Sequence, residues 1–363
     1  SEINAVITNK KITDELRDLK NPYTARILSA ENNEQSVLNL VDTVTKDFKT
    51  AHKFYKLKAK LLKLDHLTYP DRGAEVGSFK KKYSYEKSYK LVHQALQELD
   101  PEFSDIFEKM SINGQIDVYP KKGKNGGAFS LSSHNNPNVV LLNHTDNFGS
   151  VTTLGHEMGH AIHSQLSEKH QPIFYEGYSL STAETASTFF EVFVFDKLVE
   201  NLSKKEKVIA LHNKIQEEIS TVYRQVACFN FELDMHNMIR NKGALSKESL
   251  AKLMNKHMKA YLGPVFNLKD IDGYYFILWS HIRNPFYVYT YTYGELVSKA
   301  LRARVKEDKS FVKEVKKFLS AGGSDTPENI FKSIGIDVTK SDFFKLGLRE
   351  IKDDVKKLED MIK

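Results

Sequence analysis

The chain has 363 residues, 40% of them hydrophobic, with a formal net charge of +6 and one cysteine. This composition allows a substantial core, and a single cysteine excludes an intrachain disulfide and points to the reducing cytoplasm. No apolar run approaches the ~18 residues of a membrane span, and the N-terminal sequence lacks the pattern of a signal peptide. The lysines occur in short dispersed groups, which favours a solvated surface over nucleic-acid or membrane binding.

Helical periodicity dominates the N-terminal part of the chain. Apolar residues recur at about 3.6-residue spacing over residues 34–64, which predicts one long amphipathic helix. The sequence Tyr69–Gly73 ends this helix, and a second helical stretch is predicted near residues 86–110. Residues 1–112 are therefore predicted to be a helical region.

The periodicity changes over residues 113–145. Three short β-prone runs, at 114–119, 128–133 and 138–143, are separated by glycine, proline and asparagine, which predicts a small antiparallel sheet. An edge strand can bind an extended peptide through its backbone, and we expect Gly127, Ala128 and Phe129 to line such an edge. A hairpin that only supports its neighbours is equally compatible with the pattern. From residue 146 to residue 363 the pattern returns to helix.

The sequence at 156–160 is His-Glu-x-x-His. On a helix, His156 and His160 project from one face and can hold one metal ion, while Glu157 can reach the metal-bound water as a general base. The alternative is a solvated helix with two ordinary imidazoles. The opposite side of the helix carries an apolar stripe, formed by Val151, Leu154, Met158 and Ile162. This stripe argues against that alternative, because it indicates that one side of the helix is buried.

A metal site of this type needs a third protein ligand and an open position for water. Glu184 is the favoured ligand, because a carboxylate on a helix surrounded by apolar residues must be paired or bound to a cation. Its spacing from Ser181 leaves open a role in closing a helix N-terminus. Glu191 lies on the same face and is expected to orient a ligating histidine. His163 could be a third histidine ligand, but a supporting position near the ligands is favoured.

An aromatic segment at 274–293 contains Trp279, His281, Phe286 and six tyrosines. The alternation at 287–293 alone predicts a strand whose tyrosines pack in a core or an interface.

Three motifs follow one another along the chain: Gly-His-Glu-Met-Gly-His-Ala-Ile-His-Ser at 155–164, Ala-Glu-Thr-Ala-Ser-Thr at 183–188 with Glu191, and the run from His281 to Gly294. Together they resemble the oligoendopeptidase F branch of the thimet-oligopeptidase-type metallopeptidases. The resemblance implies a mainly α-helical zincin lobe of the neurolysin and thimet type, with a small sheet before the His-Glu-x-x-His helix. It also implies one zinc ion held by His156, His160 and Glu184, with Glu157 as the base.

Family members of this kind are longer and cleave short, unfolded peptides inside a deep channel. The resemblance therefore implies that residues 1–363 are one catalytic region without the family's N-terminal lobe. In that region, residues 1–112 would form part of the channel wall, 113–145 the small sheet and 146–363 the helical zinc-binding part.

The resemblance further implies that the aromatic segment is a loop running into a helix beside the metal. His281, Tyr287 and Tyr291 are then expected to donate hydrogen bonds to the oxyanion that develops on the scissile carbonyl, and Tyr293 to contact substrate. The predicted function is a monomeric zinc oligopeptidase that acts on short peptides. A carboxypeptidase or dipeptidyl carboxypeptidase with the same zinc site is one alternative, and a non-catalytic peptide-binding scaffold is another.

Overall fold

A computed structural model describes residues 2–363 of the protein. This part of the chain is mostly α-helical and contains one three-stranded sheet, as predicted. Within it, no helix has both the length and the apolar character that a membrane crossing requires.

The first six helices and the three strands precede the His-Glu-x-x-His motif. The helices are α1 Glu2–Leu16, α2 Thr24–Ser29, α3 Glu34–Lys46, α4 Phe48–Leu62, α5 Tyr85–Leu99 and α6 Pro101–Ile112. The strands are β1 Ile116–Asp117, β2 Phe129–Ser133 and β3 Asn136–Leu141.

Nine further α-helices follow in the described part of the chain. They are α7 Phe148–His170, α8 Leu180–Val199, α9 Lys204–Glu218, α10 Gln225–Lys242, α11 Lys247–Leu262, α12 Tyr289–Glu307, α13 Val312–Ser320, α14 Pro327–Ser333 and α15 Ser341–Met361. A π-helical turn, Ile219–Arg224, joins α9 to α10, and 3-10 turns occur at Tyr69–Gly73, Asp270–Ile277 and Ser280–Arg283, among other places.

The chain divides into two compact units that alternate along the sequence. The first unit contains the residues up to Val76, Leu211–Tyr293 and Thr339–Lys363, and the second contains Gly77–Ala210 and Gly294–Val338. The predicted division at residues 112 and 145 gives three continuous segments. The two observed units differ from it, because each is assembled from separate segments of the chain. That the units form one catalytic region stays a prediction.

The core of the first unit lies among α3, α4, α10, α11 and α15. Its apolar side chains are fully buried, for example Leu40, Phe54, Phe229, Met254 and Ile351. In the second unit α7 packs against α8, α13, α5 and the sheet, so α7 forms the centre of that core.

The predicted single helix over 34–64 is two helices, α3 and α4, which meet at Asp47. The carboxylate of Asp47 accepts hydrogen bonds from Thr50 Oγ1 and Tyr223 Oη, both at 2.9 Å, and pairs with Lys352 Nζ at 2.6 Å. These side-chain contacts hold Asp47 at the junction, where it is the C-cap of α3 and the N-cap of α4.

The predicted helical stretch near 86–110 is also two helices, α5 and α6. Pro101 is the first residue of α6, and a proline cannot continue the preceding helix because it lacks an N–H group. Asp100 caps α6 by accepting a hydrogen bond from Glu102 N at 2.9 Å.

The sheet is mixed and has the order β1-β3-β2. β2 and β3 pair antiparallel as predicted, through a turn in which Asn135 adopts a φ of 60°. The prediction is wrong for β1, which pairs parallel to β3 with Ile116 opposite Val140. The connection from β1 to β2 is long enough to bring β1 beside β3 instead of forming a hairpin with β2. β2 is therefore an edge strand.

Candidate metal centre

Helix α7 carries the His-Glu-x-x-His motif and begins at a polar cap. Asn147 is its N-cap, and the side chain of Asn147 accepts a hydrogen bond from Ser150 N at 2.8 Å. The predicted apolar stripe of Val151, Leu154, Met158 and Ile162 is fully buried. The rings of His156 and His160 lie 5.0 Å apart, centroid to centroid, and both are half-buried. Burial of the stripe thus fixes the face on which the two histidines project.

Glu184 lies in the second turn of α8. The N-cap of α8 is Ser179, whose side chain accepts a hydrogen bond from Thr182 N at 3.4 Å. Ser181 is already inside the helix, so the alternative in which Glu184 closes a capping box with Ser181 is wrong.

Two glycines allow other backbone segments to approach the Glu184 turn. A Cβ atom built on Gly159 would lie 2.7 Å from Ser187 Cα, and one built on Gly294 would lie 2.8 Å from Glu184 Cβ. Either contact is shorter than side chains tolerate, so the observed packing requires glycine at both positions. No local pattern marks these two glycines as packing positions, although Gly159 stands inside the His-Glu-x-x-His motif.

His156, His160 and Glu184 converge. One ligand atom from each residue lies within 4.8 Å of the other two, as three donors around one ion require. His156 Nδ1 donates a hydrogen bond to Glu191 Oε2 at 2.9 Å, and its Nε2 lies 3.8 Å from Glu184 Oε2. Glu191 therefore orients the ring so that Nε2 points toward Glu184, the arrangement in which a ligating histidine is held by a carboxylate.

The electrostatics of this group favour a cation. Burial acts against protonation of His156, but the hydrogen bond to Glu191 and the charges of Glu191, Glu184 and Glu157 raise its pKa to about 9. Burial and the charge of His156 lower the pKa of His160 to about 3, so its ring is neutral, as metal binding requires. Two imidazole nitrogens and one carboxylate oxygen are a donor set that fits zinc with an open coordination position.

Glu157 is buried next to this group, with 6% of its surface exposed. Burial raises the pKa of its carboxyl, and the charges of Glu184 and Glu191 act in the same direction, while the charge of His156 opposes it. Its Oε2 atom has no hydrogen-bond partner among the described protein groups. A buried carboxylate oxygen without a protein partner is free to bind water or substrate.

His163 takes a different place from the predicted one. Its ring stacks on Tyr178 at 3.6 Å between centroids and packs on Phe318 at 5.4 Å. Neither ring nitrogen has a hydrogen-bond partner in the described chain, and burial lowers the pKa to about 3. The prediction that His163 supports the ligands is therefore replaced by a packing role between α7 and α13.

The residues predicted to line a peptide-binding edge lie at the start of β2. Phe129 is 37% exposed, and Gly127 and Ala128 precede the strand. Gly127 has a φ of 79° and its carbonyl accepts a hydrogen bond from Asn143 Nδ2 at 2.8 Å. The backbone N–H of Ser130, in the same strand, acts to lower the pKa of Glu157. This edge therefore adjoins Glu157 within the second unit.

The aromatic segment belongs to the first unit, up to Tyr293, and it is not a strand. A 3-10 turn at Ser280–Arg283 leads to α12, which begins at Tyr289, in agreement with the resemblance and against the alternation pattern. His281 and Tyr287 form a hydrogen bond between Nδ1 and Oη, and the rings of Tyr287 and Tyr291 lie 5.8 Å apart. The three predicted oxyanion donors thus form one cluster.

Tyr293 lies apart from that cluster. Its side chain is 1% exposed and packs against Phe344 of α15 at 6.0 Å between ring centroids. The prediction that Tyr293 contacts substrate is wrong, because the ring belongs to the core of the first unit.

A helix with His-Glu-x-x-His and a glutamate from the next helix define a metallopeptidase type of site. The family comparison agrees: the model of peptidase family M3 matches residues 4–350, and the chain belongs to this family.

Similar proteins confirm the resemblance to oligoendopeptidase F. The chain is 29% identical to oligopeptidase PepF of Bacillus subtilis over 350 residues, which cover 95% of this chain and 52% of that protein. It is also 29% identical to an oligoendopeptidase F homolog of Borreliella burgdorferi, covering 93% of this chain and 59% of that one. The chain therefore spans little more than half the length of these relatives.

Solved structures show the same fold. A crystal structure of a protein from Chlamydophila abortus matches with a TM-score of 0.91 and 26% identity, covering 99% of this chain and 60% of that chain. Oligoendopeptidase-F from Enterococcus faecium matches with a TM-score of 0.74 and 21% identity, covering 98% of this chain and 58% of that one.

Proposed function

We propose that the chain carries the catalytic site of a zinc-dependent oligopeptidase that hydrolyses peptide bonds in short, unstructured peptides. The observation that carries the proposal is the convergence of His156, His160 and Glu184 next to the buried carboxylate of Glu157. Membership of peptidase family M3 and the names of the relatives, oligopeptidase and oligoendopeptidase F, support it.

His156, His160 and Glu184 would hold one zinc ion. When bound, zinc supplies Lewis acidity that polarises a carbonyl and lowers the pKa of water. The chain contributes the orientation of these ligands: Glu191 fixes the ring of His156, and the close approach at Gly159 and Gly294 fixes Glu184.

Glu157 would transfer the proton. Its free carboxylate oxygen takes a proton from the attacking water, and the resulting carboxylic acid passes that proton to the amine that leaves. Burial favours the protonated form of Glu157, which makes the second transfer easier than it is for an exposed glutamate.

His281, Tyr287 and Tyr291 would stabilise the oxyanion. His281 Nδ1 and Tyr287 Oη form a hydrogen bond. Whichever of the two residues donates this bond, the pair keeps one N–H or O–H group that can donate to another partner. If the tyrosine donates, the Nε2–H of His281 is available, and if the histidine donates, the Tyr287 O–H is available. Such donors act where negative charge develops in the transition state.

The exposed edge of β2 would bind the substrate backbone as an added strand. An extended peptide satisfies the free N–H and C=O groups of an edge strand with little dependence on side-chain identity. This mode suits an enzyme that accepts many short peptides. We propose that the enzyme acts in the cytoplasm. Its single cysteine, Cys228, is buried and forms no disulfide, as is usual for proteins of a reducing compartment.

The test combines turnover with metal content. The zinc-loaded chain is incubated with short internally quenched peptides and with a stably folded protein, and the products are identified by mass. We expect internal cleavage of the peptides only, and a loss of at least about a hundredfold in Glu157→Gln with zinc retained.

The exposed Glu108 of α6 offers a control, since Glu108→Gln removes a carboxylate from the second unit far from any proposed ligand in sequence. Binding of peptides without cleavage would favour the scaffold alternative, and release of terminal residues alone would favour the carboxypeptidase alternatives. Near-normal turnover in Glu157→Gln would show that Glu157 is not the base.

A further inference from the structure

The first unit contains three cations in one region: Lys58 of α4, Arg72 of the turn Tyr69–Gly73, and Arg224 at the end of the π-helical turn. Within residues 2–363, no carboxylate forms an ion pair with any of them. Cations in a protein interior are normally paired, because removing an isolated charge from water is costly. This cluster therefore requires an explanation.

Lys58 is fully buried in this cluster, whereas Arg72, Arg224 and Tyr69 are partly buried. Lys58 is 0% exposed, and its Nζ donates to the carbonyl of Arg72 at 2.8 Å and to Gln216 Oε1. The guanidinium of Arg72 lies 5.0 Å from the ring of Tyr69 and 5.9 Å from that of Tyr275. The groups in contact with these cations are thus neutral. Burial lowers the pKa of Lys58 to about 8, and the charge of Asp71 opposes this shift without forming an ion pair.

Donor groups in the cluster are left over. The Nε atoms of Arg72 and Arg224 and the hydroxyl of Tyr69 are buried and have no hydrogen-bond partner in the described chain. The charges of both arginines lower the pKa of Tyr69, against the larger opposing effect of burial, so the two guanidinium groups act on the same place. Two arginines and a tyrosine hydroxyl are donors that suit an anion.

The carboxylate next to Arg72 in sequence does not fill this role. Asp71 accepts hydrogen bonds from Thr68 N at 2.7 Å and Thr68 Oγ1 at 2.6 Å, which close the start of the turn. Its Oδ2 atom accepts both bonds, and neither arginine pairs with it.

The position of Arg224 connects the cluster to the proposed chemistry. Its charge acts on His281, whose pKa is lowered first by burial and then by Arg224. Arg224 also ends a π-helical turn, a feature that often occurs at functional sites. An anion bound at Arg224 would therefore change the electrostatic potential at the histidine that we propose as an oxyanion donor.

We propose that Arg72, Arg224 and Tyr69 form a subsite for a carboxylate of the peptide substrate. Arg72 and Arg224 supply charged donors and Tyr69 a hydroxyl, while Lys58 holds the backbone of Arg72 and adds positive potential. The proposal rests on the proposed peptidase function, because it takes a peptide as the ligand. The carboxylate has two sources, the C-terminus of the peptide and an acidic side chain.

The experiment separates these sources with three peptides of one core sequence. The first peptide has a free C-terminus and no acidic residue, and the second is its C-terminal amide. The third is a set of C-terminal amides, each with a single glutamate introduced at a different position. Binding is measured by fluorescence anisotropy to the zinc-loaded Glu157→Gln chain, so that affinity is read without turnover.

We expect the wild-type cluster to bind the first or the third peptide at least about tenfold more tightly than the second, the effect of one hydrogen bond between charged groups. Arg224→Gln should bring this ratio close to one, and Arg224→Lys should keep part of it because the charge remains. Arg349→Gln is the control, since it removes an exposed arginine from α15 of the same unit. Thermal melts check that each variant is folded.

A preference for the first peptide assigns the subsite to the C-terminus, and a preference for the third assigns it to an acidic side chain. Equal binding of all three peptides, or a ratio that Arg224→Gln leaves unchanged, would overturn the proposal. Parallel turnover assays on the chain with Glu157 intact keep the two proposals apart. If peptides are cleaved but no carboxylate is preferred, only the subsite proposal fails. If binding depends on Arg224 but no peptide is cleaved, only the peptidase proposal fails.

Discussion

Replacement of Gly159 by alanine tests how the site is held together. The new Cβ atom would lie 2.7 Å from Ser187 Cα, 3.1 Å from the carbonyl oxygen of Ala186 and 3.1 Å from Phe190 Cδ2. Two of these atoms belong to the backbone of α8 and cannot rotate away, so α7 and α8 must separate by several tenths of an ångström. Gly159 adjoins His160, and Ser187 is one turn from Glu184, so the separation moves these ligands apart.

The magnitude follows from two opposing effects. Overpacking of a core costs about 1–3 kcal/mol, and replacing glycine by alanine in a helix returns about 0.5–1 kcal/mol. We therefore expect Gly159→Ala to lower the unfolding free energy by about 0–2.5 kcal/mol, toward the upper end because two of the three close atoms are backbone atoms. Zinc affinity should fall roughly tenfold or more, as it does when the support of a metal ligand is lost.

The assays separate stability from metal binding. Urea unfolding of the metal-free chain reports the packing effect, because bound zinc would itself stabilise the fold. Competition with a chromogenic chelator then reports zinc affinity. Gly149→Ala is the control in the same helix, since its Cβ would meet only Asn147 Oδ1 at 3.4 Å, an ordinary contact, and should not destabilise. If Gly159→Ala matches Gly149→Ala in both assays, the close packing of α7 on α8 does not hold the site.

Two further predictions concern the first unit. If Tyr287 or Tyr291 donates to the oxyanion, its change to phenylalanine should cost about 2.7–4 kcal/mol of transition-state stabilisation, mainly in kcat, with zinc content unchanged; a normal kcat in Tyr287→Phe, Tyr291→Phe and His281→Ala would remove this role. Burial raises the pKa of Glu232 to about 8, although the N–H of Phe286 opposes the shift. The folded state then holds the Glu232 proton more tightly than the unfolded state does. The contribution of protonated Glu232 to stability is therefore complete below about pH 4.5 and is lost as the pH rises to about 8. Glu232→Gln should therefore flatten the fall in stability over this window, on the order of a few kcal/mol, in urea titrations at several pH values; an unchanged slope would contradict the burial argument.

The sequence predicted the convergence of His156, His160 and Glu184, because the signals for it are local or depend on simple burial. The His-Glu-x-x-His spacing needs only a helix, and the buried stripe behind it fixes the face. Glu184 was found because a carboxylate on an apolar helix needs a partner. His163 shows the limit of the same argument: its spacing places it near the motif, but Tyr178 and Phe318 enclose its ring, and those contacts come from elsewhere in the chain.

The two missed helix breaks differ in cause. The break at Asp47 is held by Tyr223 and Lys352, which no local pattern reveals. The break at Pro101 could have been predicted, since aspartate followed by proline is a helix-start signal.

The spacing of the tyrosines in residues 287–293 is compatible with both a strand and a helix. Alternate tyrosines lie on one face of a strand, but residues four apart also lie on one face of a helix. Burial of Tyr289 and Tyr293 in the first unit favours the helix. Only the resemblance to a known family indicated this outcome beforehand.

Zinc content measured by elemental analysis tests the central claim most directly. We expect one zinc ion per chain in the wild-type protein after dialysis against a weak chelator, and the same value in the surface control Glu108→Ala. Glu184→Ala should lose the ion under the same conditions, because two histidines alone leave the site one protein ligand short. A full equivalent of zinc in Glu184→Ala, or none in the wild-type chain, would contradict the assignment of His156, His160 and Glu184 as its ligands.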